Sequence, residues 1–227
     1  MKTIRFIFYT TLGLVYAQTG LANLEVSCIG RGENHKLNLI YMHGMDTQQP
    51  GELEIYNRSV LESLALRYNL QIALPRAPLK CKTQTNKRCW GWNYSEAEQK
   101  PILKATLDSR LKCFKKDEAF LMIGFSEGGL FLHHWYSRGL LPAFDVMPKG
   151  FIVSAGSTHA LSKQLMADLH ANSPMVLVTG THDYYNMKSV NDYYAMLEKA
   201  RASVQSLFFN GGHRLDFESL NKAYLFY

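Results

Sequence analysis

The chain has 227 residues, 47% hydrophobic and 19% charged, with a formal net charge of +6 at neutral pH. That length suits one domain with a substantial core. The absence of a long basic block or a nucleic-acid module excludes a reading built on nucleic acid, and no segment beyond residue 22 is long and apolar enough to span a bilayer as a helix.

Lys2 and Arg5, the apolar stretch Phe6–Val15 and a small-residue site at Val15-Tyr-Ala17 or Gly20-Leu-Ala22 have the form of an export signal. Residues 1–22 are therefore expected to be a signal peptide cleaved after Ala17 or Ala22, an uncleaved anchor being the alternative. Residues 23–227 then form one secreted or periplasmic domain. Cys28, Cys81, Cys89 and Cys113 remain after export. An even count in an oxidising compartment argues for disulfides, with three possible connectivities. Proximity favours Cys81–Cys89, leaving Cys28–Cys113; buried free thiols are the alternative.

Along the chain, strand-like apolar runs alternate with helical stretches. Leu24–Ile29 reads as an antiparallel edge strand. Lys36–Met42 is the first strong strand and runs into His43-Gly44-Met45; the helix Leu53–Tyr68 and the strand Leu70–Leu74 follow. A loop rich in Lys, Arg and Trp (80–94) leads to a helix over Ser95–Phe114 and then to the strand Ala119–Gly124. Next come a helix at Glu127–Arg138, a strand at Gly150–Ser154, a helix at Ala160–Ala171 and a strand at Met175–Thr179 that ends in His182-Asp183. The helix Val190–Arg201, the strand Ser203–Phe209, Gly211-Gly-His213 and the helix Asp216–Leu225 complete the chain. This alternation predicts an α/β fold, a mostly parallel sheet with helices on both faces. No insertion long enough for a substantial lid separates the strand after Ser126 from the acid-bearing one.

Ligands of such sheets bind at the carboxyl ends of the strands, and four polar motifs fall on that rim. Gly-Phe-Ser-Glu-Gly-Gly (124–129) directly after a buried strand is a G-x-S-x-G turn, in which Ser126 would stand out of the sheet at a helix start. A serine hydroxyl needs an adjacent base, for which His213 is the best candidate. The imidazole in turn needs a carboxylate to fix its tautomer, and Asp183 is the natural choice. Asp145 should lie at the opposite rim, and Asp192 and Asp216 sit in helical patterns. His182 is expected to pack beside the acid. The backbone N–H groups of Met45 and Glu127 are the candidate oxyanion donors, with the Glu127 side chain lying along the helix surface. The cysteine spacing is not a zinc pattern, there is no H-E-x-x-H, and neighbouring His133 and His134 face different ways on a helix. Neither a metal site nor a cofactor is expected.

Tyr-Met-His-Gly-Met (41–45), Gly-Phe-Ser-Glu-Gly-Gly, Gly-Thr-His-Asp (180–183) and Gly-Gly-His (211–213) together resemble the α/β-hydrolase superfamily. The compact size and Leu74-Pro-Arg-Ala-Pro78 look like its phospholipase/carboxylesterase group, which includes acyl-protein thioesterases. The resemblance implies a triad of Ser126, Asp183 and His213 with Met45 and Glu127 as oxyanion hole. It departs at Asp46, where those enzymes usually carry glycine, and after Asp183, where Tyr-Tyr-Asn replaces a proline-containing loop. Cys89-Trp-Gly-Trp is similar to a segment of polyhydroxyalkanoate depolymerases and related secreted esterases. It implies a loop whose Cys81–Cys89 bridge holds Trp90 and Trp92 as apolar platforms for an acyl or aromatic group; the alternative is that the tryptophans cap the core. The basic residues Lys80, Lys82, Lys87 and Arg88 would favour an anionic substrate or be solvated loop charge. The expectation is an exported serine hydrolase acting on small acyl esters through an acyl-serine, with an amidase or peptidase, or an inactive binding protein, as alternatives.

Overall fold

The computed structural model describes residues 24–30, 37–47, 50–82, 84–137, 146–156, 173–200 and 202–227. The expected signal peptide and the helix expected at Ala160–Ala171 lie outside them. A seven-stranded sheet forms the centre. Its strands are β1 (Val26–Ile29), β2 (Asn38–Met42), β4 (Ile72–Pro75), β7 (Phe120–Phe125), β8 (Phe151–Ser154), β9 (Met175–Gly180) and β10 (Val204–Phe209), in the spatial order β1-β4-β2-β7-β8-β9-β10. Among the described residues only β1 of this sheet is antiparallel, paired with β4 at the edge; its other pairings are parallel.

The side chains of the central strands sort by alternation onto two cores. Leu39, Tyr41, Leu121, Ile123, Ile152, Val176 and Val178 point to one face, where α1 (Glu52–Tyr68) and α5 (Phe217–Leu225) supply Leu61, Leu64, Leu220 and Ala223. Ile40, Met42, Phe120, Met122, Phe151, Val153, Met175 and Leu177 point to the other. There α2 (Glu96–Ser109), α3 (Glu127–Ser137) and α4 (Tyr184–Lys199) bring Leu103, Phe131, Trp135, Val190 and Tyr193. Strands covered on both sides have no polar face, which is why the sequence shows them as short continuous apolar runs. The expected architecture is therefore the observed one, with no lid domain among the described residues.

The helix boundaries differ from the sequence reading in two places. The helix expected over Ser95–Phe114 stops at Ser109 and tightens into a 3-10 turn at Arg110–Lys112. Helix α4 begins at Tyr184, six residues before Val190, because Asp183 serves as its N-cap and accepts from the N–H of Asn186. A further element was not foreseen. β3 (Asp46–Thr47), β5 (Leu79–Lys80) and β6 (Lys87–Cys89) form a small antiparallel sheet, order β3-β6-β5, over the carboxyl rim. The Cys81–Cys89 bridge closes this hairpin, and Cys28–Cys113 ties β1 to the segment after α2.

Candidate active site

From β2 the chain crosses outward to β4, and from β4 it returns through α2 to β7 on the other side of β2. The loops leaving β2 and β7 therefore diverge at a topological switch point, where an open sheet leaves a crevice. A cleft of about 420 Å³ occupies it, lined by Met45 after β2, Ser126 after β7, Trp92 and Tyr94 of the basic loop, Tyr185 and Asn186 of α4, and His213.

Ser126 has φ = +52°, the left-handed region, in the turn between β7 and α3. A non-glycine residue held there is strained, and surrounding packing has to maintain it. The flanking glycines make room: a Cβ on Gly128 would lie 2.3 Å from the Met42 carbonyl oxygen, and one on Gly124 2.5 Å from that of Gly128. The elbow is thus pressed against the end of β2, which brings Ser126 beside Gly44 and Met45.

The three residues expected to act together are in contact. His213 Nε2 lies 3.0 Å from Ser126 Oγ, and its Nδ1 lies 2.6 Å from Asp183 Oδ2. A carboxylate only accepts, so Nδ1 carries the proton and Nε2 is left to accept from the serine hydroxyl. The Phe125 ring flanks the imidazole, centroids 4.9 Å apart. Two backbone bonds, from the N–H of Thr181 to Phe209 O and of His182 to Gly211 O, each 2.8 Å, hold the acid and histidine loops together. His182 itself is exposed on this turn rather than packed beside the acid. The competing acids are engaged elsewhere: Asp192 pairs with Lys188 and Asp216 caps α5. Asp145 lies outside the described residues.

A residue that the motifs did not reveal completes this chain of contacts. The side-chain amide of Asn186 lies 2.9 Å from both Asp183 oxygens. Its 3.2 Å approach to His213 Nδ1 sets donor against donor, so the amide hydrogens go to the carboxylate. The only sequence signal is its place three residues after Asp183, the first turn of α4.

Both oxyanion candidates border the cleft. Glu127 is the first residue of α3, where the N–H has no partner within the helix. Met45 sits on the turn after β2. That turn is anchored from below: His43 Nε2 accepts from the N–H of Ala77 at 3.0 Å, and the His43 carbonyl accepts from Trp90 Nε1 at 2.8 Å. Burial holds His43 down to about 4, in its neutral form.

Two expectations change. The Glu127 side chain does not run along the helix surface: it turns inward, 4% exposed, and accepts from the N–H groups of Trp90 at 2.7 Å and Gly91 at 3.0 Å. Burial pushes its carboxyl up to about 7 against the pull of those donors. Trp90 is fully enclosed under the cleft, packed between His43 and Phe131, and only Trp92 reaches the wall. Of the basic residues, Lys82 borders the cleft with its ammonium 3.9 Å from the centre of the Tyr94 ring; Arg88 donates to the Pro78 carbonyl.

In sequence, residues 33–221 match the model of the serine hydrolase (FSH1) family. The chain belongs to that family. No curated protein matches this FSH1-family chain, but solved structures share its fold at low identity. It is similar to esterase PE8 at 17% identity over 89% of this chain and 96% of that one, with a TM-score of 0.66. For acyl-protein thioesterase 2 of Zea mays the figures are 17%, 90% and 97%, and 0.63; for the Bacillus cereus carboxylesterase they are 18%, 90% and 93%, and 0.59.

Proposed function

We propose that the protein is an exported carboxylic-ester hydrolase working through an acyl-serine on Ser126. The observation that carries this reading is the unbroken path from Ser126 Oγ through His213 to Asp183, at 3.0 and 2.6 Å. In this mechanism His213 Nε2 takes the hydroxyl proton as Ser126 Oγ bonds to the acyl carbon. The N–H groups of Met45 and Glu127 stabilise the oxyanion of the tetrahedral intermediate, helped by the positive end of α3. His213 gives its proton to the departing alcohol, and water, activated by the same imidazole, then releases the acid. Asp183 keeps the imidazole in the productive tautomer and stabilises its cation.

The substrate is a small-molecule acyl ester. A cleft open at its mouth, with Trp92, Tyr94 and Tyr185 on its wall, supports an acyl or aromatic group on one side of the scissile bond. The similarity of Cys89-Trp-Gly-Trp to secreted polyester-cleaving enzymes points the same way. Export is supported by the leader and by two disulfides, which persist in oxidising compartments; among the described residues no helix is long and apolar enough to cross a membrane.

A fluorophosphonate probe with mass-spectrometric mapping tests the assignment. Modification at Ser126, lost in Ser126→Ala together with turnover of p-nitrophenyl esters, is the expected result. Turnover that survives Ser126→Ala removes the nucleophile assignment. Amides cleaved faster than matched esters would make the enzyme an amidase, and an unlabelled, inert protein would make it a binding protein.

A further inference from the structure

The Glu127 carboxylate is not used by the reaction steps above, yet it is buried directly behind the nucleophile. Its hydrogen-bond partners are backbone N–H groups: those of Trp90 and Gly91 point at its two oxygens, one each. The successive backbone N–H groups of Trp90 and Gly91, converging on one anion, form a nest, a concavity built by residues that alternate in backbone hand. Gly91 supplies the left-handed member, with φ = +82°. A nest of this kind commonly receives a ligand anion; here a side chain of the same protein fills it.

The consequence lies one residue further on. Trp92 is the part of this turn that reaches the cleft, while Trp90 beneath it is fixed independently by its ring contacts and its bond to His43. We propose that Glu127 is a positioning residue that latches the turn 90–92 onto the nucleophile elbow and thereby seats Trp92 as the wall selecting the acyl group. The proposal rests on the esterase reading for its kinetic consequence, though the latch itself is a matter of backbone hydrogen bonds. An isosteric amide cannot replace the carboxylate, since its NH2 would face one of the N–H donors. Glu127→Gln therefore frees one end of the turn while keeping its volume.

Two measurements test this. By hydrogen exchange, the one of the Trp90 and Gly91 amides that faces the new NH2 is expected to exchange about 100-fold faster in Glu127→Gln than in the wild type, and both at the wild-type rate in Trp92→Ala, where the latch is intact. By kinetics, the ratio of kcat/KM for p-nitrophenyl hexanoate to that for the acetate is expected to fall about 10-fold in each single variant, and no further in the double variant, because both act through the same wall. Unchanged exchange of both the Trp90 and the Gly91 amides in Glu127→Gln, or selectivity losses that multiply in the double variant, would overturn the latch. If Glu127→Gln does not fold, a Trp92→Ala variant with unaltered selectivity overturns it equally. Should no ester be turned over and Ser126 stay unlabelled, the esterase reading fails, while exchange of the Trp90 and Gly91 amides still decides the latch.

Discussion

Asn186 donates its side-chain amide to both oxygens of Asp183, at 2.9 Å each. The carboxylate is thus gripped at both oxygens by an amide that lies beside His213, 3.2 Å from its Nδ1, which limits rotation of the acid away from the imidazole. Asp183 is also the N-cap of the helix that carries Asn186, so acid and orienting amide move as one unit. Asn186→Ala leaves the acid free to rotate away from His213. It is expected to lower kcat by roughly 10-fold to 100-fold with little change in KM. Steady-state kinetics on a soluble ester checks this, and an unaltered kcat would reduce the amide to a helix-end contact.

The loops bearing acid and histidine touch through glycine. A Cβ on Gly180 would lie 2.2 Å from the Gly211 carbonyl oxygen, whereas one on Gly212 would meet nothing within 4 Å. Gly180→Ala must push the two loops apart and is expected to destabilise by about 2–4 kcal/mol, with activity falling further than stability. Gly212→Ala is expected to be neutral to within about 0.5 kcal/mol. Denaturant melts of the two variants test the contrast. Equal effects would mean that Gly-Gly-His owes its glycines to something other than this close approach.

The sequence makes the frame of this site readable because the frame is made of strands buried on both sides. Phe120–Phe125 and Met175–Gly180 are buried along their whole length and almost entirely apolar, Thr179 being the polar exception, so their ends mark where Ser126 and Asp183 emerge. What escapes is set by contacts between distant segments. The strands of the small sheet are two or three residues long, too short for any period to register. Trp90 and Trp92, two apart in one loop, look alike in sequence; the turn at Gly91 encloses one and leaves the other half-buried at the cleft. Glu127 reads as a solvated helix residue because the N–H groups that accept it into the core lie 36 and 37 residues away. The early start of α4 follows from Asp183, whose carboxylate caps the helix and at the same time lies 2.6 Å from His213 Nδ1.

The two disulfides should separate stability from catalysis. Cys28–Cys113 closes a sequence separation of 85 residues, and Cys81–Cys89 one of 8. Loop-closure entropy gives about 4–5 kcal/mol for the long loop and about 2–3 kcal/mol for the short one. The double serine variant at Cys28 and Cys113 is expected to lower the melting temperature more, with the activity of the remaining folded protein intact. The variant at Cys81 and Cys89 is expected to melt closer to the wild type yet lose discrimination among acyl groups, since Cys81 and Cys89 themselves border the cleft. Thermal melts paired with a substrate panel distinguish the two, and the reverse ranking would contradict the entropic account.

A buried carboxyl away from the cleft controls how stability varies with pH. Glu54 accepts from Tyr41 Oη at 3.0 Å and from Arg58 Nε at 3.4 Å, yet burial outweighs both donors and pushes it from 4.5 up to about 7. A carboxyl with a raised folded-state pKa binds its proton more tightly when folded. Its contribution is complete below the unfolded value and is lost as pH rises through the folded one. His43 runs the other way: burial lowers it from 6.5 to about 4, so its contribution is present above 6.5 and lost as pH falls through about 4. In the overlap the two partly cancel while Glu127, also raised to about 7, adds to the Glu54 side, and the wild-type curve alone separates none of them. Glu54→Gln removes one of them and leaves His43 in place. The stability of the wild type minus that of the variant is therefore expected to fall by about 1–3 kcal/mol between about pH 5 and pH 8 in urea titrations. A difference that stays constant over that range would mean that the Tyr41 and Arg58 donors match the cost of burial and that the carboxyl ionises as it does in water.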